Sequence, residues 1–291
     1  MNAIQTQKLC KYYGKARGIL DVDLTVAEGD FFGFIGPNGA GKSTTIRSLL
    51  GLIRPTSGSA RIFGKEIGKE YLSILKDIGY LPSETAFYPG MRVEELLRFS
   101  ARLHKTDCTQ EARLLCDRLE LDPKRKIREL SLGNRKKLGI VCALQHKPRL
   151  YILDEPTSGL DPLMQKEFYE ILRQRNAEGA TIFLSSHVLS EIARYCNKAA
   201  VISEGRILAA DSVENLGHTG VKKVTLRGCP SLPKLQGAKD QVIEGDSLRF
   251  LYSGDPRRLL QELSSLPFED ISITDPDLEE IFLHYYTKEE G

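Results

Sequence analysis

Residues 2 to 30 alternate polar and apolar positions, as in Leu20-Asp21-Val22-Asp23-Leu24-Thr25-Val26. A period of two predicts half-exposed antiparallel strands. The pattern then becomes a continuous apolar run, Phe31-Phe32-Gly33-Phe34-Ile35. Runs at 150–153 and 181–184 are of the same kind, and such segments predict parallel strands buried on both faces. Val201-Ile202 continues the sheet, and Glu204-Gly205 reads as a tight turn. A helix is predicted near 162–178, ended by Gly179. From about 93 to 121 the spacing is helical throughout. Val93, Leu96, Leu97, Phe99, Ser100 and Leu103 lie near one stripe, which Ala112, Leu115, Cys116 and Leu119 continue. A further helix is predicted over 133–146.

After about Leu216 the texture changes. Gly217, Gly220, Gly228, Pro230, Pro233 and Gly237 punctuate strand-like stretches at 221–226, 248–252 and 271–274, with helices expected near 256–265 and 276–286. The expected division is therefore a large α/β domain over 1–216, with a helical segment at about 84–148, and a small α+β domain over 217–291.

The first apolar strand runs into Gly36, Pro37, Asn38, Gly39, Ala40, Gly41, Lys42, Ser43 and Thr44, and then into a helical stretch. Strand, glycine-rich loop and helix form the setting of a phosphate-binding loop. Glycines let the backbone wrap an anion and point N–H groups at it. The helix N-terminus adds its positive dipole end. Lys42 supplies a point charge for the β and γ phosphates, and the Ser43 hydroxyl can ligate Mg²⁺. Taken alone, the loop indicates an enzyme that binds a nucleoside triphosphate.

Composition narrows the setting. The 291 residues are 41% hydrophobic and 27% charged with a net charge of +2, so no strong nucleic-acid footprint is implied. The basic cluster Lys124-Arg125-Lys126-Ile127-Arg128 is then expected to be solvated surface. The six cysteines are scattered, with no C-x-x-C pair, which suits reduced thiols in a cytosol. The start of the chain lacks the regions of a signal peptide. No stretch approaches the ~20 apolar residues of a membrane span, so work at a membrane would need another subunit to cross it.

Asp154 and Glu155 end the apolar run at 150–153. Acidic residues at the carboxyl end of a parallel strand face the ligand crevice. There Asp154 can hold Mg²⁺ through water and Glu155 can act as a general base on the attacking water. Ser131 and the residues after it open a helix; in isolation this is a plain helix cap, whose free N–H groups could also present a second anion site. Ser158-Gly159-Leu160-Asp161-Pro162 is a turn into another helix, and the strand at 181–184 leads to Ser185-Ser186-His187, where the histidine can reach a γ-phosphate.

With these residues in order, the chain resembles the ATP-binding subunit of an ATP-binding-cassette (ABC) transporter over residues 1 to about 215. The resemblance implies a P-loop NTPase cassette with a RecA-like core, an antiparallel β subdomain and a helical subdomain. The phosphate loop corresponds to the Walker A motif, and Leu153-Asp154-Glu155 to Walker B and the catalytic glutamate. Ser131-Leu132-Gly133-Asn134 corresponds to the signature, the turn at Asp161 to the D-loop and His187 to the switch histidine. Tyr13, before Gly14, matches the aromatic that stacks on adenine, with Tyr12 as the alternative. Implied with them are ATP and Mg²⁺ as cofactors and a dimer, homo- or heteromeric, in which Ser131 and Gly133 of one subunit enclose the ATP of the other. A membrane permease is the implied partner, and nucleic acid is not. The expected location is cytoplasmic, at the inner face of the cell membrane through that permease. The segment after 216 resembles the C-terminal extension of bacterial ATPases paired with ABC-2-type export permeases.

Two departures stand out. Where the family carries a glutamine after Tyr80-Leu81-Pro82, this chain has Ser83 and then Glu84. The signature has Leu132 and Asn134 where glycine and glutamine are commoner. The alternative function is a soluble ABC ATPase acting on ribosomes or nucleic acid. The translation-associated class usually has two cassettes in one chain, and the DNA-repair class a long coiled-coil insertion; neither feature occurs here. A P-loop metabolic kinase leaves Ser131–Asn134 unexplained.

Overall fold

The computed structural model describes residues 1–14, 16–217, 221–229 and 235–274. The chain divides into two compact units, Met1–Asp211 and Ser212–Gly291.

The first unit is built on a six-stranded sheet. Its order is Arg206–Ser212, Lys198–Ser203, Phe31–Ile35, Thr181–Ser186, Leu150–Asp154, Ile78–Leu81. The last five run parallel. Phe31–Ile35, Leu150–Asp154 and Thr181–Ser186 are buried along their whole length, as their apolar runs require. On one face Phe32, Phe34 and Phe183 join Ile46 and Leu49 of the helix Lys42–Leu49 in a common core. On the other, a Cβ on Gly33 would lie 2.6 Å from Ile192, so the helix Leu189–Tyr195 comes down close to the strand. Glu204 and Gly205 both have positive φ, at 45° and 78°, which suits the two-residue hairpin that adds the edge strand.

Asn2–Tyr13, Ala16–Val22, Thr25–Ala27, Ser57–Ile62 and Lys65–Glu66 form a separate antiparallel sheet, in line with the alternation at the start of the chain. The helical stretch differs from the expectation. It is two helices, Val93–His104 and Thr109–Arg118, not one. Lys105 is left-handed (φ 56°) and ends the first. The Asp107 carboxylate accepts from the Thr109 amide and hydroxyl and starts the second. The first helix buries Val93, Leu96 and Leu97, and Phe99 and Leu103 stay exposed at its surface, off the expected stripe. A third helix, Leu132–Leu144, packs on strand Ile78–Leu81. A Cβ on Gly79 would meet the Ala143 carbonyl at 2.1 Å, and one on Gly139 would meet Leu81 at 2.8 Å, so helix and strand interlock through these two glycines.

The second unit holds a four-stranded antiparallel sheet ordered Ala238–Glu244, Ser247–Ser253, Val221–Arg227, Asp270–Thr274. Leu259 and Leu263 of helix Pro256–Leu263 close its core with Val224, Leu226, Leu248, Phe250 and Tyr252. The helix expected over 276–286 lies outside the described residues. Cys10, Cys108, Cys116, Cys142 and Cys196 are free thiols. Burial pushes the Cys116 thiol up to about 11, which keeps it unreactive.

Candidate functional site

Parallel strands bring their carboxyl ends to one edge, and the chemistry collects there. The strand Phe31–Ile35 delivers the loop 36–41, Leu150–Asp154 delivers Asp154 and Glu155, and Thr181–Ser186 delivers His187. The loop borders a cleft of about 300 Å³. Tyr13, Pro37, Asn38, Gly39, Gly41, Lys42, Ser43, Thr44 and Glu155 line it together with Arg17, Gly18 and Ser83.

Glycine is needed in this loop for reasons internal to the protein as well as for a ligand. A Cβ on Gly36 would sit 2.3 Å from the Ile202 carbonyl oxygen of the neighbouring strand. Gly41 precedes the first helical residue at φ 110°, a conformation that side chains other than hydrogen rarely allow.

Lys42 is buried. Its Nζ donates to the carbonyl oxygens of Gly36 at 2.6 Å and Pro37 at 3.2 Å, and faces Glu155 Oε1 as an ion pair at 3.2 Å. The other carboxylate oxygen, Glu155 Oε2, lies 2.8 Å from His187 Nδ1. A carboxylate only accepts, so Nδ1 carries the proton in this contact. Glu155 itself is left-handed, at φ 49°, and its amide is held by the Ser185 carbonyl at 3.2 Å and hydroxyl at 3.1 Å. Strain of this kind persists where the surroundings fix it. Asp154 lies almost wholly buried, and its Oδ1 accepts from Ser185 Oγ at 2.6 Å. Its Oδ2 is buried with no hydrogen-bond partner. An orphaned carboxylate oxygen suits a cation, so Asp154, with the Ser43 hydroxyl in the cleft, fits Mg²⁺. Among the described residues no group of three or more His, Cys, Asp or Glu is placed to hold a metal ion. A cation here would take most of its ligands from phosphate and water, as Mg²⁺ commonly does.

Ser131, Gly133 and Asp161 do not line this cleft. Ser131 caps the helix Leu132–Leu144, its Oγ accepting from the Asn134 amide at 3.3 Å. Asp161 caps Pro162–Ala177 through the Met164 amide at 3.0 Å. The two turns meet each other, since a Cβ on Gly133 would lie 2.9 Å from the Gly159 carbonyl oxygen.

Some contributors were not anticipated. Arg17 and Gly18 reach the cleft because Ala16–Val22 folds back on Asn2–Tyr13, with Tyr12 opposite Arg17. Only that hairpin register could have signalled them. Glu191 accepts from Thr157 Oγ1 at 3.2 Å and Ser186 Oγ at 3.1 Å, and so braces the segments that carry Glu155 and His187. Its helix is too short to show a period in sequence.

The ABC transporter family profile matches residues 19–158. The chain is similar to the bacitracin transport ATP-binding protein BcrA of Bacillus licheniformis, 41% identical over 212 residues, which cover 70% of this chain and 68% of that one. It is also similar to the linearmycin resistance ATP-binding protein LnrL of Bacillus subtilis, 33% identical, with 77% of this chain and 75% of that one covered. A solved structure described as the ATP binding subunit of an ABC transporter superposes with a TM-score of 0.70 at 30% identity, over 74% of this chain and 91% of that one.

Proposed function

The chain belongs to the ABC transporter family of ATP-binding subunits, and on that premise we propose that it is the ATP-hydrolysing motor of a membrane exporter. The observation that carries the reading is the line Lys42–Glu155–His187 at the edge of the nucleotide cleft. Lys42 is held by two loop carbonyls and one carboxylate, all of which a triphosphate can displace. Phosphate oxygens are stronger acceptors than neutral carbonyls, so nucleotide entry turns Lys42 toward the β and γ phosphates. That exchange takes the cation off Glu155 Oε1, while His187 still holds Oε2. The freed oxygen accepts a proton from the attacking water. The new oxygen–phosphorus bond forms as the bond from the γ-phosphorus to the bridging oxygen breaks, leaving ADP and inorganic phosphate. Ser43 and Asp154 would hold Mg²⁺, which would supply neutralising charge for the phosphates.

Tyr13, which lines the cleft, offers its ring to the adenine. Ser131 and Gly133 serve the cleft of a second ATPase subunit, which explains why they stand outside their own. A closed pair of this kind is stabilised by the γ-phosphate and loosens when it leaves, and that difference is what can drive a permease between conformations. Among the described residues no helix is long and apolar enough to cross a membrane, in keeping with a separate permease that holds the chain at the inner face. The transport and resistance functions in the names of the relatives support export.

Affinity capture of the tagged chain from detergent-solubilised membranes tests the reading. A multi-span membrane protein should be recovered in stoichiometric amount, and it should stimulate ATP hydrolysis. Recovery of ribosomes or nucleic acid in its place would overturn it.

A further inference from the structure

Lys136 has no part in the chemistry above, yet it is a buried lysine beside the site. It lies in the second turn of helix Leu132–Leu144 and is only 4% exposed. Its Nζ donates to the Ser83 carbonyl at 3.0 Å and lies 3.4 Å from the Pro82 carbonyl. Burial lowers its pKa to about 8, opposed by the negative charges of Asp154 and Glu155. A helix that needed only to pack would place an apolar residue here, because burying an ammonium costs free energy unless it is well bonded. What the ammonium holds is specific. Ser83 lines the nucleotide cleft with Lys42, Ser43 and Glu155. The strand before it is already interlocked with the same helix at Gly79 and Gly139. That helix begins with Ser131 as its cap.

We propose that Lys136 is a positioning residue for hydrolysis, a strut that holds the Pro82–Ser83 turn against the cleft and couples it to the helix opened by Ser131. The contact from the helix is made to main-chain carbonyls, at Ser83 and Pro82, and not to a side chain. The link therefore runs from the helix to the backbone of the turn. A load on Ser131, such as the phosphate of a neighbouring subunit's ATP, is passed through Lys136 to the Ser83 backbone, which lines the same cleft as Glu155. The inference rests on the ATPase reading, but the bond itself does not depend on it.

Lys136→Met keeps the length and burial of the side chain and removes the donors. In the full chain, Lys136→Met should lower kcat for ATP about tenfold while KM stays within about twofold, the signature of a lost effect on the chemical step rather than on binding. Hydrogen exchange at the amides of residues 83–87 should quicken in the nucleotide-free protein, with exchange in strands 31–35 and 150–154 unchanged. Lys136→Gln, which restores a donor, should recover most of the rate and most of the protection. An unchanged kcat in Lys136→Met would overturn the proposal. So would a loss that Gln does not rescue, or one accompanied by faster exchange across the whole core. A parent protein without ATPase activity would sink the functional reading alone, since the exchange measurement tests the strut without hydrolysis.

Discussion

The two halves of the candidate site are built differently. Around the phosphate loop, Lys42, Asp154, Glu155 and His187 each bond another group within the chain. Lys42 holds the loop carbonyls and Glu155, His187 holds Glu155, and Ser185 holds Asp154 and the Glu155 amide. Around Ser131 the reverse is true. Its hydroxyl makes a 3.3 Å contact with its own helix, Leu132 beside it is 71% exposed, and Asp161 only caps a helix. A 3.3 Å cap is a long hydrogen bond that a phosphate can replace at little cost. The phosphate-loop half is preorganised within one chain, whereas the Ser131 half is exposed, as the proposed role toward a second subunit requires.

The most severe way to break this comparison is to disable the preorganised half. Glu155→Gln keeps the shape, and its amide can still contact His187, but it removes the base and the negative charge facing Lys42. ATP turnover should fall on the order of 100-fold or more, the range of a lost general base. Nucleotide binding should persist, and the ATP-bound protein should accumulate as a dimer in light scattering. Turnover at the parent rate would mean that Glu155 is not the base.

Damage to the outward half should look different. Ser131→Arg places a bulky cation on an exposed cap that does not line the chain's own cleft. ATP-driven dimerisation and turnover should drop by about tenfold or more, while ATP affinity of the dilute monomer stays within about twofold, because binding and turnover report different states. Weakened monomer binding would place Ser131 in its own cleft and erase the distinction between the halves.

The same contrast explains what could be read from sequence. The placement of Asp154, Glu155 and His187 at one sheet edge was legible because each follows an apolar run that forms a buried parallel strand, and strand ends fix where side chains emerge. The phosphate loop was legible through its glycines, although the reason for Gly36 is partly the Ile202 carbonyl, a contact between strands distant in sequence. Arg17 was not legible, because it depends on hairpin register with Tyr12. Glu191 and Lys136 were not, because a buried charge is recognised only by the partners that tertiary packing supplies. The break at Lys105 was hidden by an apolar spacing that continues across it, and only the Asp107 turn chemistry, bonding Thr109, decides the matter.

The mildest test separates the halves by their response to acid. The helix that Ser131 opens is followed by His146, whose ring stacks on His104 at 3.7 Å between centroids and whose Nε2 lies 3.1 Å from the Ile78 carbonyl oxygen. Burial, and then the neighbouring His104, lower the His146 pKa from its ordinary 6.5 to about 4. A histidine with a depressed native pKa is protonated first in the unfolded chain. Its contribution to stability is therefore complete above about pH 6.5 and is lost as pH falls toward about 4. His146→Gln removes that titration and retains a donor for the Ile78 carbonyl. Urea unfolding at pH 7.5 and pH 5 should show the parent losing more stability than the variant, by on the order of 1 kcal/mol. Hydrogen exchange at pH 5 should locate the parent's extra loss in residues 93–146, with the amides of the phosphate-loop strand protected. An acid limb that is identical in parent and variant would remove His146 as its cause. Exchange that loosens first around residues 31–44 would put the weaker half on the other side of the site.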